Sequence, residues 1–374
     1  MTAVVSAKSV MLAAGGTGGH LFPALALAQE LGRRGILVDL VTDMRGDRYG
    51  SDFPARAVYR VPSATLASRS PLAAAGTVWM LTRGIAAAFR LLGEVRPGAV
   101  IGFGGYPAFP PLVAARLRRI PTALHEQNAV LGRANRMLAK RVTAIATSFE
   151  PTKFLEGPAL ARARVTGNPV RDQVIDWAAQ GYHAPVRSGP FSLLVFGGSQ
   201  GARFFSDVLP PALSLLPGEL RAGLFVVQQC REEDLDRVEA AYQAAGVRAH
   251  LATFFANLPE EMAKAHLVIG RAGASTVAEL TVMGRPSILV PLPHALDNDQ
   301  LQNATRLAEA GGAWCIEQKA LTPELLANAL GRLLESPHLL GDAAAAAKRQ
   351  GRPDAVTRLA NLVEELVGSG QKSA

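Results

Sequence analysis

Short runs of apolar residues, each followed by a turn and then by a stretch with helical periodicity, recur along this chain. Apolar residues occupy consecutive rather than alternating positions in each run, which is typical of parallel strands buried on both faces. Strands are predicted at 9–16, 36–42, 99–105, 121–126, 142–148, at the start of 191–203, and at 224–229, 266–273 and 287–293. Helices are predicted between them, the first over 23–34.

The pattern restarts after a polar connector at 180–190, so that the chain reads as two similar halves. The glycine turns GGTGGH and GGSQGAR open the two halves at equivalent places, at 15–20 and 197–203. This predicts an α/β protein of two Rossmann-like domains, 1–170 and 171–352, whose parallel sheets face each other across a cleft. An amphipathic helix at about 354–366 is expected to carry 353–374 back onto the first domain, with the last eight residues frayed.

Composition agrees with two well-packed domains, since 49% of the 374 residues are hydrophobic and 19% are charged. The net charge of +8 favours an anionic partner, although a solvated basic surface would give the same value. No nucleic-acid motif or aromatic platform accompanies that charge, so nucleic acid is not expected. Cys230 and Cys315 lack metal-ligand spacing, which predicts a reducing compartment and no structural zinc. No apolar run is long enough to span a membrane, and the first run is interpreted as a buried strand rather than a signal peptide.

Three glycine-containing turns carry the candidate chemistry. In the first, His20 begins a helix, where a neutral imidazole can accept a hydroxyl proton; a tight turn without a ligand is the alternative. In the second, 197–203, backbone N–H groups and Ser199 suit a diphosphate, with Arg171 as a further donor; Ser199 as a helix cap is the alternative. In the third, 271–279, Glu279 suits a ribose or serves a capping box. The polar loop 293–304 suits sugar hydroxyls.

Seven motifs, in this order, resemble one family closely: the UDP-N-acetylglucosamine–lipid I N-acetylglucosaminyltransferases (MurG) of peptidoglycan synthesis, which have the GT-B fold. The motifs are GGTGGH (15–20), GFGGYP (102–107), HEQN (125–128), GNPVR (167–171), GGSQGAR (197–203), RAGASTVAEL (271–280) and DNDQLQNA (297–304). The resemblance implies an inverting transfer, in which the 4-hydroxyl of the lipid-linked N-acetylmuramoyl-pentapeptide attacks the anomeric carbon of N-acetylglucosamine. UDP departs and lipid II forms.

The resemblance also implies a role for each matching residue. His20, Glu126 and Asn128 form the catalytic group, with His20 as the candidate base. The implied substrate contacts are Thr17, Gly18, Gly19 and Asn128 for sugar and acceptor, Arg171, Gly198, Ser199, Gln200 and Gly201 for diphosphate, Phe255 for uracil, Ala274, Ser275, Thr276 and Glu279 for phosphate and ribose, and Asp299 and Gln300 for the sugar hydroxyls. The chain departs from the family pattern at two places. Asp299 stands where many members have Gln, which bears on sugar selectivity. Pro107-Ala108-Phe109 follows the GGY of the second motif, where members often have a small Ser-Gly pair, which bears on the acceptor contacts.

Two Asp-x-Asp strings raise the question of a metal. Asp234 and Asp236 belong to a charged helical run and are interpreted as a solvated face, whereas Asp297 and Asp299 belong to the sugar-binding loop. Helix ends and Arg171 already supply positive charge, so no cofactor and no tightly bound metal are expected.

A lipid-linked acceptor implies a peripheral position on the cytoplasmic face of the bacterial membrane, near cell-wall and division proteins. The predicted helix 71–92 places Val78, Leu81, Ile85, Phe89 and Leu92 on one face and Trp79, Arg83 and Arg90 on the other. The second face suits an anionic bilayer, with core packing and incidental arginines as the alternative. The patch extends to Arg116, Arg118, Arg119, Lys140 and Arg141.

Two rival functions are a UDP-N-acetylglucosamine 2-epimerase on the same scaffold and a non-catalytic nucleotide-sugar-binding scaffold protein.

Overall fold

The computed structural model describes residues 9–15, 18–43, 53–64, 71–187, 189–198 and 203–371. The chain divides into two compact units, one formed by Met1–Arg171 with Pro353–Ala374 and the other by Asp172–Arg352. No helix among the described residues is long and apolar enough to cross a membrane.

The first unit is a parallel sheet of seven strands in the order β3-β2-β1-β4-β5-β6-β7. The strands are β1 Ser9–Ala13, β2 Leu37–Thr42, β3 Ala57–Arg60, β4 Ala99–Gly102, β5 Thr122–Glu126, β6 Ala144–Thr147 and β7 Ala163–Val165. The helices of this unit are α1 Gly18–Arg33, α2 Pro71–Val95, α3 Phe109–Leu117, α4 Arg133–Ala139 and, from the end of the chain, α14 Ala355–Gln371. Strand order reverses direction between β1 and β4, which is where doubly wound sheets bind their ligands.

Both faces of this sheet are buried, which explains the uninterrupted apolar runs of the sequence. Val10 and Leu12 of β1 belong to one core with residues of α1 and α14. Met11 and Ala13 belong to a second core with residues of α2, α3 and α4. Successive strand residues point to opposite faces, so a strand covered on both sides needs apolar residues at every position.

The helix α14 is longer than the sequence predicts. It continues to Gln371, and Val363 and Val367 are buried in the core beside α1. Arg34, directly after α1, donates to Asn361 and Glu364, with both N–O distances at 2.7 Å. The expected fraying is therefore wrong for 367–371, because the apolar stripe continues one turn further onto the sheet.

The helix α1 also departs from its prediction. It begins at Gly18, five residues before the expected start, and contains Pro23. Proline often marks the first helical turn, which is why the sequence favours a later start. The first glycine turn therefore contributes residues to the helix itself.

The second unit repeats the same plan with six parallel strands in the order β10-β9-β8-β11-β12-β13. The strands are β8 Phe191–Phe196, β9 Leu224–Gln229, β10 Arg248–Ala252, β11 Leu267–Gly270, β12 Ser287–Leu289 and β13 Ala313–Cys315. The helices are α5 Asp172–Ala178, α6 Arg203–Ser214, α7 Gly218–Ala222, α8 Leu235–Ala245, α9 Leu258–Lys264, α10 Ala274–Met283, α11 Asp299–Glu309, α12 Pro323–Glu335 and α13 Pro337–Gln350. Strand order reverses here between β8 and β11.

Four strands, β3, β7, β10 and β13, were missed by the apolar pattern. All four are edge strands, and β3, β7 and β10 contain arginine and are partly exposed. Edge strands lack the two-sided burial that makes a strand visible as an apolar run.

Candidate functional site

The first half-site lies in the first unit, where β1, β4 and β5 end. His20 is the third residue of α1, and Gly104 and Gly105 follow β4 with φ of 88° and 71°. A Cβ on Gly104 would lie 3.3 Å from His20 Cε1, and one on Gly105 would lie 3.5 Å from His20 Nε2. The imidazole therefore packs directly against two glycine residues in a conformation that other residues rarely adopt.

Gln127, directly after β5, connects His20 to the interior of this unit. Its Oε1 lies 3.3 Å from His20 Nδ1. Its Nε2 lies 2.9 Å from the carbonyl oxygen of Phe103, 3.0 Å from His125 Nδ1 and 3.1 Å from the carbonyl oxygen of His125. The Nε2 of His125 in turn lies 3.0 Å from the carbonyl oxygen of Gly167. His125 is fully buried, and burial lowers its pKa to about 4, so that it is neutral near pH 7.

Glu126 is buried beneath the same loop and accepts four hydrogen bonds. Its Oε1 accepts from the backbone and side-chain nitrogens of Asn128, at 3.0 and 3.3 Å. Its Oε2 accepts from the Gly132 backbone and from Asn135 Nδ2, both at 2.8 Å. Burial raises the pKa of Glu126, and the donors from Gly132, Asn128 and Asn135 act in the opposite direction. This geometry favours a positioning role for Glu126 over the catalytic role expected from the sequence, because its lone pairs already serve the protein.

Several buried amide groups in this unit lack protein partners. Asn135 Oδ1 and both polar side-chain atoms of Asn168 are buried without a hydrogen bond. Buried polar atoms are nearly always paired, so such groups suit water or ligand. Asn128 itself is partly exposed, and its side-chain orientation is fixed by Glu126.

Arg171 and the start of α1 lie close together. The guanidinium of Arg171 lies over the ring of Phe22, 4.7 Å from its centroid. Gly18 is buried, with a virtual Cβ 3.1 Å from the same ring, whereas Gly19 is exposed and has open space beside it. Thr17 lies outside the described residues.

The second half-site lies in the second unit, after β8, β11 and β12. The backbone N–H of Gly197 donates to Gln229 Oε1 at 3.3 Å, and Gly198 has φ of 88° with open space around its Cβ position. Ser199, Gln200 and Gly201 lie outside the described residues, so the structure does not address the capping alternative for Ser199.

Helix α10 begins without a side-chain cap. Its N-cap is Gly273, and its first helical hydrogen bond runs from Val277 N to Gly273 O at 3.0 Å. The preceding N–H groups of Ala274, Ser275 and Thr276 belong to the helix N-terminus, which favours anions. Ser275 Oγ is buried without a protein partner.

Glu279 is the sixth residue of α10 and is almost completely buried. A capping box requires the carboxylate at the third helical position, so that alternative is excluded. Glu279 lies one helical turn after Ser275, which is the position that the sequence predicts for a residue that binds the ribose.

Arg271 and Asn303 hold the second half-site together. Arg271 Nη1 donates to the carbonyl oxygens of Val290 and Pro291 at 3.0 and 3.2 Å, and its Nη2 donates to Gln318 at 2.6 Å. Asn303 is fully buried and donates to the carbonyl oxygen of Ala272 at 3.1 Å. Asn303 therefore fixes the turn before α10.

The loop between β12 and α11 has a strained backbone. His294, Asp297 and Asn298 have φ between 55° and 59°. Non-glycine residues in this conformation cost free energy and cluster at functional sites. Gln300 Oε1 accepts from Leu292 N at 3.0 Å, which fixes its side chain across this loop, and Asp299 Oδ1 accepts from Gln300 N at 2.7 Å.

The remaining predicted contact, Phe255, follows β10. It is buried, with its ring 5.8 Å from that of His250. It is thus a packing residue by its side chain, and only its main chain remains as a candidate ligand contact.

Asp234 corrects one interpretation of the sequence. Its side chain is buried rather than solvated and accepts from Arg203 and Arg237, with the shortest distances at 3.2 and 2.9 Å. The hydrogen bonds from Arg203 and Arg237 lower the pKa of Asp234. Among the described residues, no group of three or more His, Cys, Asp or Glu side chains could hold a metal ion.

The surface of α2 also differs from its prediction. The buried positions are Leu81, Gly84, Ala88 and Leu92, whereas Val78 and Phe89 are exposed. A virtual Cβ on Gly84 would lie 2.1 Å from the carbonyl oxygen of Pro62, so the helix turns its glycine toward that backbone. The predicted apolar face was therefore rotated from the true one, because the sequence pattern did not count glycine and alanine as contact residues.

The structure thus assembles His20 and Asn128 with buried supports in one unit, and Gly198, Ala274–Thr276, Glu279, Asp299 and Gln300 around strand ends in the other. Sequence reasoning missed the supporting residues Gln127, Asn135, Arg271 and Asn303. Gln127, Arg271 and Asn303 lie within the seven motifs and Asn135 lies in α4, but buried polar residues follow no pattern of their own along the sequence.

Two doubly wound parallel sheets, each with polar residues at the carboxyl ends of its central strands, are characteristic of the GT-B fold, which glycosyltransferases share with UDP-sugar epimerases. Residues 10–147 match the glycosyltransferase family 28 N-terminal domain, and residues 192–359 match its C-terminal domain. The chain is 51% identical over 357 residues to the UDP-N-acetylglucosamine–N-acetylmuramyl-(pentapeptide) pyrophosphoryl-undecaprenol N-acetylglucosamine transferase of Mesorhizobium japonicum, covering 96% of this chain and 95% of that protein. The enzyme of the same name from Methylobacterium nodulans is 53% identical, with 96% and 97% covered.

The chain belongs to this transferase family. The crystal structure of Acinetobacter baumannii MurG matches with a TM-score of 0.78 and 30% identity, covering 96% of this chain and 99% of that one. The UDP-N-acetylglucosamine 2-epimerase of Neisseria meningitidis matches with a TM-score of 0.67 at 15% identity, covering 96% and 100%, which shows a shared fold alone. The family, fold class and enzyme class expected from the seven motifs are confirmed.

Proposed function

We propose that this chain transfers N-acetylglucosamine from UDP-N-acetylglucosamine to the lipid-linked N-acetylmuramyl-pentapeptide, lipid I, in peptidoglycan synthesis. The observation that carries this proposal is identity of about 50% over nearly the whole chain with transferases of that name. The products are lipid II and UDP.

The decisive assay combines the purified chain with UDP-N-acetylglucosamine and a short-chain lipid I analogue. We expect a lipid-linked disaccharide and one equivalent of UDP, both dependent on the analogue. Release of UDP or formation of an epimeric sugar without acceptor would instead favour the epimerase. Binding of UDP-N-acetylglucosamine without turnover would favour the scaffold protein.

For the chemistry, we propose His20 as the general base for the acceptor 4-hydroxyl. His20 lies at the end of the central strands, packed against Gly104 and Gly105 and hydrogen-bonded to Gln127. The acceptor oxygen forms a bond to the anomeric carbon as the bond to the diphosphate oxygen breaks, which inverts the configuration. Asn128, held by Glu126, is proposed to orient the sugar.

Replacing His20 with Ala tests this role. A positioned general base contributes about 10²–10⁴ in rate, so turnover should fall by that factor. The affinity for UDP should change little, because the proposed base contacts the acceptor hydroxyl rather than UDP. Turnover within about threefold of wild type would remove His20 from the mechanism.

The donor is proposed to bind at the second half-site. The uncapped start of α10 and Gly198 suit the diphosphate, together with Ser199, Gln200, Gly201 and Arg171. Glu279 is proposed to accept hydrogen bonds from the ribose hydroxyls, and the main chain at Phe255 to contact the uracil. Asp299 and Gln300 are proposed to bind the hydroxyls of the sugar. Helix N-termini and Arg171 supply the positive charge that the diphosphate needs, so no metal is expected. The test is to measure turnover with and without a chelator, and we expect no change.

The membrane surface is proposed to meet α2 and α3 on the cytoplasmic side. Val78, Trp79 and Met80 are exposed, with Trp79 at 65%, and Leu117 of α3 is 63% exposed. Arg83 and Arg90 are exposed on the same helix as these apolar side chains, and Arg118 lies over Phe89 at 3.9 Å. Exposed apolar side chains flanked by arginine are typical of surfaces that bind anionic lipid.

Vesicle co-sedimentation tests the electrostatic part. Each arginine near an anionic surface contributes about 1 kcal/mol, so replacing Arg83 and Arg90 with Gln should weaken binding by about thirtyfold at low salt. Arg332 and Arg349, which are exposed in the second unit, provide a charge-matched control pair. Equal pelleting with neutral and anionic vesicles would contradict this part of the proposal.

A further inference from the structure

Gln127 is almost completely buried, 1% exposed, yet it was not among the residues selected for chemistry. One end of its amide has two partners of fixed character, the backbone carbonyl oxygens of Phe103 and His125. This makes it possible to assign the orientation of the amide from donors and acceptors alone.

The carbonyl oxygens of Phe103 and His125 can only accept hydrogen bonds. Both lie within 3.1 Å of one terminal atom of the Gln127 amide, so that atom must be the donating nitrogen. The amide oxygen therefore points to His20.

An amide oxygen can only accept, so His20 Nδ1, 3.3 Å away, must carry a proton. In the neutral ring the lone pair then lies on Nε2. In His125, Nε2 donates to the carbonyl oxygen of Gly167, so Nδ1 of the neutral ring carries the lone pair. This lone pair is one of three acceptors that share the two protons of Gln127 Nε2. The chain of hydrogen bonds from Gly167 to His20 has one consistent direction.

We infer that Gln127 is a positioning residue that fixes the tautomer of His20, so that Nε2 is the nitrogen that takes the acceptor's proton. The inference rests on the proposed function for the identity of that acceptor. Because an amide cannot ionise, Gln127 keeps Nδ1 protonated both before and after the transfer. The hydroxyl proton passes to Nε2, and the departing UDP takes the electron pair of the broken anomeric bond.

Two titratable residues at the end of β5, His125 and Glu126, lie beside these hydrogen bonds. His125 stays neutral, since burial lowers its pKa to about 4. The Glu126 carboxylate does not join these hydrogen bonds and instead accepts from Gly132 and Asn135. A protonated His125 would place a second donor against the Gln127 amide and break this series of hydrogen bonds. The neutral state of His125 is therefore part of the arrangement.

Nitrogen-15 NMR of the full chain with labelled histidine tests the inference without any turnover. The chain has seven histidines, and the spectrum of His20→Ala identifies the His20 signals. In the wild type near pH 8 we expect a protonated, pyrrole-type Nδ1 and an unprotonated, pyridine-type Nε2. A protonated Nε2 in neutral His20 would overturn the inference. If the tautomer is as expected but no transfer occurs, the proposed function fails and this inference stands.

Kinetics of Gln127→Met provide the second readout. Methionine has a similar volume but no acceptor, so kcat should fall by at least about tenfold and by no more than the loss in His20→Ala. The KM for UDP-N-acetylglucosamine should be unchanged. In the His20→Ala background the same substitution should have no further effect, because Gln127 acts through His20.

Gln228→Met is the matched control, since Gln228 is a fully buried glutamine bound to Tyr242 in the second unit. It should lower the melting temperature without lowering kcat. An equal loss of kcat from Gln127→Met in the wild-type and His20→Ala backgrounds would show a merely structural role and overturn the inference.

Discussion

The slot that holds the His20 imidazole can be closed with a single methyl group. Gly104 has φ of 88°, and a Cβ there would lie 3.3 Å from both His20 Cε1 and Asn135 Nδ2. Ordinary carbon contacts begin at about 3.5 Å, so Gly104→Ala must displace the ring by a few tenths of an ångström or more.

Two effects of Gly104→Ala can be separated by a control. The left-handed backbone costs about 1–2 kcal/mol for any residue with a Cβ. Gly35 has φ of 71° and nothing within 4 Å of its Cβ position, so Gly35→Ala carries the backbone cost without crowding His20. The two variants should therefore lose similar stability in urea unfolding.

Their activities should differ. Misplacing a catalytic group by about 1 Å costs on the order of 10²-fold, so Gly104→Ala should lose about tenfold to a hundredfold in kcat, with the KM for UDP-N-acetylglucosamine unchanged. Gly35→Ala should keep wild-type kcat. Wild-type kcat in folded Gly104→Ala would refute the view that these glycines position the base.

Two further predictions concern stability. Unfolded histidine binds a proton near pH 6.5 and folded His125 only near pH 4, so the unfolded state binds more protons in that window and stability falls as pH falls through it. The loss from His125 should be about 2 kcal/mol at pH 5 relative to pH 7, measured by urea unfolding; His125→Gln should lack this component, and an identical pH dependence would contradict the assignment. On α2, Gly84→Ala should destabilise by about 1–3 kcal/mol because its Cβ meets the Pro62 carbonyl at 2.1 Å. Gly76→Ala, on the same helix with open space, should be neutral or stabilising; equal melting temperatures for the two variants would count against the contact.

The sequence predicted secondary structure best where a single residue type, the apolar residues, occupies every position of an element. Central strands such as β1 and β8 need apolar residues at every position, so they stood out as runs. Edge strands such as β3 and β10 share their composition with loops and were missed. On α2, Leu81 and Leu92 were placed correctly, but Gly84 and Ala88 complete the buried stripe and shifted it away from Phe89.

The residues of the candidate site also fall into those that the sequence predicted and those that it did not. Motif order was enough to select His20, Asn128, Glu279 and Gln300, because these residues share chemistry and spacing with a family. The sequence could not show that both carboxylate oxygens of Glu126 accept hydrogen bonds from other residues of the protein. Nor could it tell that Asn303 donates a hydrogen bond to the carbonyl oxygen of Ala272.

The sequence by itself determined the two parallel sheets, the family and the turns that carry the chemistry, since strand burial and glycine turns leave local patterns. Only the tertiary structure decided which polar side chains hold other side chains in place. The direction of the hydrogen bonds from Gly167 through His125 and Gln127 to His20 is the clearest case. It depends on residues that follow β1, β5 and β7 and so lie far apart in the chain, and no local pattern records their meeting.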